Sequence, residues 1–137
     1  MSAYGGGAAV AWAERKIGEK EWSVVAASIG GPDDEVHEVR TIGLGMSPSL
    51  ASLPDGDLLL AYAEGSAGAH RVVARKLARD EALAPRGEPV VVSPAELNAG
   101  QPAAVVAGDR RGLVAFFAAG SGRATLIARP LACDPGL

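Results

Sequence analysis

The sequence predicts an all-β fold made of antiparallel four-stranded units that recur about every 50 residues. Three observations lead to this prediction. An apolar, strand-like segment ending in an aromatic residue occurs three times, at steps of about 50 and 55 residues. Each copy is followed by a second strand-like segment with the same order of aliphatic residues and alanine. A proline-led segment and a turn containing glycine and aspartate come before two of the copies.

The first recurring segment is expected to form the second strand of each unit. Its copies are residues 7–14, 57–64 and 112–119. Trp12, Tyr62 and Phe117 take the same place in the three copies. These strands do not alternate apolar and polar residues, as the run 58–61 (Leu-Leu-Leu-Ala) shows, so we expect neighbouring sheets to cover them on both faces.

The next recurring segment is expected to form the third strand. Its copies are residues 22–29, 71–77 and 125–131. A helix over residues 61–84 is the alternative, because alanine, arginine and lysine favour helices. Gly65 interrupts that helix, and Pro130 lies in the corresponding segment of the next copy. Strands are therefore predicted.

First and fourth strands complete each unit. First strands are predicted at residues 47–53 and 101–107, and fourth strands at residues 35–42 and 88–93. Pro48 and Pro102 lie at the head of the first strands, where a missing backbone N–H is tolerated. The turns at 54–57 and 108–112 contain the glycine that a hairpin needs for a positive φ.

The predicted domain is a single all-β repeat domain, residues 1–137, with units at about 5–46, 47–98 and 99–137. It holds about ten strands, or two and a half units, and begins at a second strand with no first strand before it. Four-stranded antiparallel units of this length are typical of the blades of a β-propeller, which has four to eight of them. We therefore expect part of a larger or oligomeric propeller, with an open sandwich of sheets as the alternative.

Residues 47–64 resemble a blade of the sialidase-like superfamily of propellers. Such blades join a proline-led first strand, an Asp-Gly or Asn-Gly hairpin and an apolar second strand that ends in an aromatic residue, here Pro48, Asp55–Gly56 and Tyr62. The resemblance covers one unit well and the other two in part, and it implies the fold alone. The family's Ser-x-Asp-x-Gly-x-Thr-Trp box is absent from the sequence, and its catalytic arginine and tyrosine motifs have no counterpart here. No catalytic residue is assigned.

Composition limits the partners. The net charge is −3, from 13 basic and 16 acidic residues, which argues against nucleic acid as the main partner. The apolar runs are shorter than the roughly 20 residues that span a membrane, and residues 1–7 show no signal peptide. The cellular compartment stays open, an extracellular or cell-envelope location included. Cys133, the single cysteine, excludes an intramolecular disulfide.

Glu14 and Glu64 are the candidate ligand-binding residues. Both end a second strand, where propeller loops form a ring face, although the third copy has Ala119 there. Two carboxylates could act as a glycosidase pair if they lay about 5 to 10 Å apart. A solvated or turn-capping role for both glutamates is the alternative.

Metal and cofactor sites are not predicted. His37 and His70 lie in different strand types, with no other histidine or cysteine at ligand spacing. The acidic segment 30–35 lacks the spaced oxygen ligands of a calcium loop and is expected to be a plain turn. The glycine-rich segments 5–7 and 120–122 lack the lysine and hydroxyl residue of a phosphate loop.

Three functional hypotheses follow. The first is a non-catalytic binding or scaffold module of the propeller type, with carbohydrate or protein as its ligand. The second is an enzyme, namely a segment of a sialidase-like glycoside hydrolase whose catalytic blades lie outside these residues. The third is a self-assembling propeller, in which several copies of the chain close their sheet edges with one another.

Overall fold

The computed structural model describes residues 2–4, 7–30, 35–79, 82–108, 111–120 and 122–132. This part of the chain forms only antiparallel β-sheets and contains no α-helix, so the predicted all-β class is confirmed. Several residues that entered the sequence predictions lie outside the described residues, namely 5–6, 31–34, 109–110, 121 and Cys133.

Three sheets follow one another along the chain, and in each the strands pair in sequence order. Sheet A contains β1 (Ser2–Tyr4), β2 (Gly7–Glu14), β3 (Ser23–Gly30) and β4 (Glu35–Leu44). Sheet B contains β5 (Met46–Ser52), β6 (Leu58–Glu64), β7 (Arg71–Ala78) and β8 (Ala84–Val91). Sheet C contains β9 (Asn98–Ala107), β10 (Arg111–Gly120) and β11 (Arg123–Ala132).

The observed strands differ from the predicted ones in two places. Sheet A does have a first strand, because Ser2–Tyr4 pairs with Gly7–Ala9, and the described chain therefore has eleven strands and not ten. The fourth strand of sheet B begins at Ala84, four residues before the predicted start. Arg86 and Gly87 therefore lie inside this edge strand, where one side of the backbone needs no partner.

Sheet B lies between the other two sheets, and its central strands are buried on both faces. Along β6, Leu58, Leu60 and Tyr62 pack against sheet A, whereas Leu59 and Ala61 pack against sheet C. Alternate side chains of a strand point to opposite faces, so a strand covered on both faces needs apolar residues at every position. The predicted coverage of this strand on both faces is confirmed.

The two junctions between sheets repeat the same backbone hydrogen bond. At the A–B junction, Gly45 N–H donates to the carbonyl oxygen of Trp22 at 2.8 Å. At the B–C junction, Ala99 N–H donates to the carbonyl oxygen of His70 at 2.8 Å. Trp22 and His70 both lie one residue before the third strand of their sheet, so the repeat seen in the sequence is a repeat of sheet-to-sheet geometry.

The first strands repeat a local distortion as well. Ser47 and Gln101 have positive φ values of 54° and 51°, and each lies directly before a proline, Pro48 or Pro102. Both strands shift register against their neighbour near this point. A β-bulge bends its strand and increases the local twist, and the two first strands carry this distortion at the same place.

One predicted equivalence is wrong by one residue. Tyr62 pairs with Val73, and Phe116 pairs with Ile127, and these pairs face the preceding sheet in both cases. Phe116, and not Phe117, is therefore the counterpart of Tyr62. Phe117 points to the opposite face, where half of its surface is exposed. Two adjacent phenylalanines offered no way to choose the inward one from the sequence.

Gly45 permits the close approach of sheets A and B. A Cβ atom at this position would lie 2.5 Å from the carbonyl oxygen of Ala63 and 2.7 Å from the ring of Tyr62. Both distances are below any real Cβ contact, so a larger residue would force the sheets apart. The glycine occupies the single residue between β4 and β5, where the chain passes from one sheet to the next.

An ion-pair network fixes the predicted hairpin between β5 and β6. Asp55 Oδ1 accepts a hydrogen bond from Asp57 N–H at 3.0 Å, and Lys76 Nζ lies 2.7 Å from Asp55 Oδ2 and 3.4 Å from Asp57 Oδ2. The hydrogen bond from Lys76 is the main reason that the pKa of Asp55 lies below its usual value. Burial opposes the charge of Lys76, but the hydrogen bonds and charges of the two aspartates outweigh it and raise the pKa of Lys76.

The described residues include no helix long and apolar enough to cross a membrane.

Candidate functional site

A groove runs between sheets A and B at the end of the sheets where β2, β4 and β6 end. It consists of two cavities that share Leu44 and Gly65 in their walls. We call the two cavities together the seam groove. Trp22 and His70 line its upper part, and Tyr62 and Arg75 line its lower part. Gly45 lies in the wall of the upper part, at the point where the two sheets approach each other closely.

The upper part has a volume of about 560 Å³ and is mostly apolar, with an aromatic ring on each side. Trp22 and His70 are equivalent positions of neighbouring sheets, so stacking the sheets brings the two rings to one cavity. Trp22 is 37% exposed, and the guanidinium of Arg15 lies 5.1 Å from the centre of its ring. This cation–π contact orients the indole on the loop that joins β2 to β3.

The lower part has a volume of about 570 Å³, and charged side chains are among its lining residues, Glu64, Arg75 and Glu88 included. Arg75 donates to the carbonyl oxygens of Ile42, at 3.4 Å, and Gly87, at 3.1 Å. Its Nε–H is buried and has no acceptor among the described residues. A buried donor without an acceptor is unfavourable by about 1–3 kcal/mol.

Tyr62 belongs to the core cluster between sheets A and B and also lines the lower part of the groove. Its ring is buried against sheet A, and burial raises the pKa of its phenol, an effect that the nearby Arg75 partly offsets. The phenol therefore stays protonated at neutral pH and can donate or accept a hydrogen bond there. An activated nucleophile requires the opposite change, a lowered pKa.

The structure places the two predicted ligand-binding glutamates differently. Glu64 lines the lower part of the seam groove, where Arg71 Nε donates to its Oε1 at 2.6 Å. Glu14 accepts a hydrogen bond from the indole N–H of Trp12 at 3.1 Å, within its own strand. Both residues end a second strand, as predicted, but each already has a partner of its own in this structure.

The histidines lie apart from each other in the fold. His37 lies on the edge strand β4, with Nε2 3.0 Å from the carbonyl oxygen of Gly30, whereas His70 lies beside the seam groove. In the part of the chain that the structure describes, no three histidine, cysteine, aspartate or glutamate side chains come together as a metal site would require.

Sequence reasoning missed Trp22 and Arg75 as groove residues. Trp22 was assigned to the start of a strand, although it is one residue before β3 and belongs to the loop. Arg75 lies in the middle of β7, where only the packing of sheet A against sheet B shows that its side chain reaches a groove. The equivalence of Trp22 and His70 in the repeat was the one signal available.

No family model, curated protein or solved structure matches this chain.

Proposed function

We propose that this chain is a non-catalytic binding module of the β-propeller type, in which sheets A, B and C are three blades and the seam groove binds a glycan. The observation that carries the proposal is the position of Trp22, 37% exposed, in the upper part of a groove whose lower part is lined by Arg75, Glu64 and Glu88.

The propeller geometry is supported by how the sheets contact one another. Contacts between sheets are concentrated on the first and second strands, with β5 packing on β9 and β2 packing on β5. The fourth strands β4 and β8 touch only slightly. Blades that radiate from an axis are close together at their first strands and diverge towards their outer strands, whereas the layers of a sandwich stay about 10 Å apart.

A glycan suits the chemistry of the seam groove. A sugar ring has an apolar face of C–H groups, which packs on an aromatic side chain, and hydroxyl groups that act as both donors and acceptors. The upper part offers Trp22 and His70 for the apolar face, and the lower part offers Arg75, Glu64 and Glu88 for the hydroxyls. Small-molecule sites combine apolar walls with a few directed polar groups in this way.

The experiment is a glycan array, followed by calorimetry on the best hit with the unmodified chain and two variants. Trp22→Ala removes the aromatic wall, and Ile17→Ala removes an exposed apolar side chain from the same loop, outside the groove. An aromatic contact is worth about 1 kcal/mol beyond its buried area, so we expect Trp22→Ala to weaken binding by at least about fivefold. Ile17→Ala should bind as the unmodified chain does.

Two results would contradict this proposal. An array without any binding would exclude a glycan as the ligand. Equal binding by Trp22→Ala and the unmodified chain would exclude the seam groove as the binding site. The hydrolase hypothesis is tested on the same samples with an activated sugar substrate. If the unmodified chain turns the substrate over and Glu14→Ala or Glu64→Ala does not, the hydrolase hypothesis would replace that of a binding module.

A further inference from the structure

We infer that two copies of this chain dock head to tail, with the outer face of sheet C of each copy against the outer face of sheet A of the other, to form one six-bladed ring. The inference rests on the propeller geometry proposed above, but not on the glycan. It follows from comparing the two sheet faces that are free in one copy with the two junctions that are already formed inside it.

The outer face of sheet C is apolar and exposed. Leu113 lies opposite Val105 on β9, and Phe117 lies opposite Leu126 on β11, so the four side chains share one face. All four are large apolar residues with at least 39% of their surface exposed. The residues that point outwards from β10 between Gly112 and Gly120 include no charged side chain. An exposed apolar patch of this kind marks an interaction surface.

This outer face has the same residue pattern as the face of sheet B that sheet C covers. The register equates Tyr62 with Phe116 and Val73 with Ile127, which fixes the rest of the alignment. The equivalent pairs are Leu59 and Leu113, Ala61 and Ala115, and Val72 and Leu126. The residues of sheet B in these pairs are buried at the B–C junction. Sheet C therefore offers the surface that a next blade would cover.

The outer face of sheet A supplies the matching half. It corresponds to the face of sheet C that packs on sheet B. The equivalent pairs are Val10 and Val114, Trp12 and Phe116, and Val25 and Ile127. Val10 and Trp12 are partly exposed on this face, whereas Val25, opposite Trp12 on β3, is already buried at 1% exposure. Sheet A of a second copy can thus cover sheet C through Trp12 and Val10, which take the places of Phe116 and Val114.

The number of copies follows from the number of blades. The described residues of one copy form three sheets, fewer than the four blades of the smallest propellers, and three copies of the 137-residue chain would supply nine, more than the usual eight. Two copies give six. A heterologous contact closes into a ring when its rotation allows, and two such contacts would leave neither apolar face exposed.

The experiment is sedimentation velocity on the 137-residue chain and on four variants, with circular dichroism as the check of folding. Leu126→Asp places a charge on the outer face of sheet C at a residue that is 63% exposed. Val10→Asp places a charge on the outer face of sheet A. If Val10→Asp does not fold, Val36→Asp takes its place, because Val36 is exposed on the same face, opposite Ile29. Val90→Asp is the matched control, since Val90 is 57% exposed on the edge strand of sheet B.

We expect the unmodified chain and Val90→Asp to sediment at twice the chain mass of 13.8 kDa, and the sheet A and sheet C variants to be folded monomers. A mixture of the sheet A and sheet C variants should recover a dimer, because one of its two junctions is unmodified on both sides. A monomeric unmodified chain would overturn the inference. So would a dimer that is lost only in Leu126→Asp, since this would mean that two C sheets pair symmetrically. Glycan binding by a monomer would leave the proposed function standing without the ring.

Discussion

Val72 and Val73 give a direct test of the stacked sheets. They are consecutive residues of β7, both with 0% of their surface exposed, and they point to opposite faces, Val72 towards sheet C and Val73 towards sheet A. In a sheet covered on one face only, one of the two would be exposed. The perturbation is the substitution of each valine by alanine, separately.

The structure sets the expected loss of stability. Each substitution removes two methyl groups from a fully buried position, at about 0.8 kcal/mol per group. A residual cavity of roughly 30 Å³, at about 24 cal/mol per Å³, adds about 0.7 kcal/mol. We therefore expect Val72→Ala and Val73→Ala each to lower the free energy of unfolding by about 2 to 2.5 kcal/mol. Val90→Ala, at an exposed position on the neighbouring strand, should change it by less than about 0.5 kcal/mol.

Urea unfolding followed by circular dichroism measures these changes. With a slope of about 2 kcal/mol per molar urea, the midpoint should fall by about 1 M for each buried valine. All samples are compared at one protein concentration, because dimer formation contributes to the apparent stability. If one of the two substitutions lowered the midpoint no more than Val90→Ala does, one face of sheet B would be open and the stacking would be refuted.

Three further predictions follow from the contacts. Gly45→Ala should lower the free energy of unfolding by more than about 2 kcal/mol, because the added Cβ meets the backbone of Ala63. Gly100→Ala is the control and should not lower it to this extent, because the space around Gly100 is open. Thermal unfolding of both variants measures the difference. Asp55→Asn should lower stability by less than about 1 kcal/mol at pH 7, because Asp55 is partly exposed. The folded pKa of Asp55 is depressed, so its contribution to stability is present above its unfolded pKa of 3.8 and is lost as the pH falls through the folded value. The unmodified chain and Asp55→Asn should therefore converge in urea unfolding once the pH is below the folded pKa, and a difference that does not shrink as the pH is lowered would contradict the ion pair. Burial raises the pKa of Tyr62, so an absorbance titration should show a tyrosine that ionises above pH 10 and disappears in Tyr62→Phe.

The sequence predicts the strands well where the hydrophobic pattern repeats. The run of four apolar residues at the start of β6 has no polar face, and covering by two sheets is the physical consequence that the structure confirms. Proline at the head of β5 and β9 marked the first strands, although both begin before the predicted residue. The short strand Ser2–Tyr4 could not be predicted, because three residues carry too little pattern to distinguish a strand from a loop.

The seam groove was much harder to predict than the strands. Its lining comes from loops and strand ends of two sheets, which are far apart along the chain and meet only through packing. Glu14 and Glu64 were chosen because they recur, but recurrence at a strand end does not show whether a carboxylate already has a partner. Glu64 is paired with Arg71, and Glu14 with Trp12. The register of Phe116 and Phe117 likewise depends on pairing with β11, which composition does not encode.

The measurement that tests the proposed function most directly is a nuclear magnetic resonance titration of the two tryptophan indole N–H groups with the best glycan from the array. Trp22 lines the seam groove, whereas Trp12 N–H donates to Glu14 within sheet A, so one chain holds both the probe and its control. Trp22→Phe assigns the two signals. We predict that the Trp22 signal shifts as the glycan binds and that the Trp12 signal does not. A bound glycan that moves the Trp12 signal alone, or neither signal, would contradict the seam groove as the binding site.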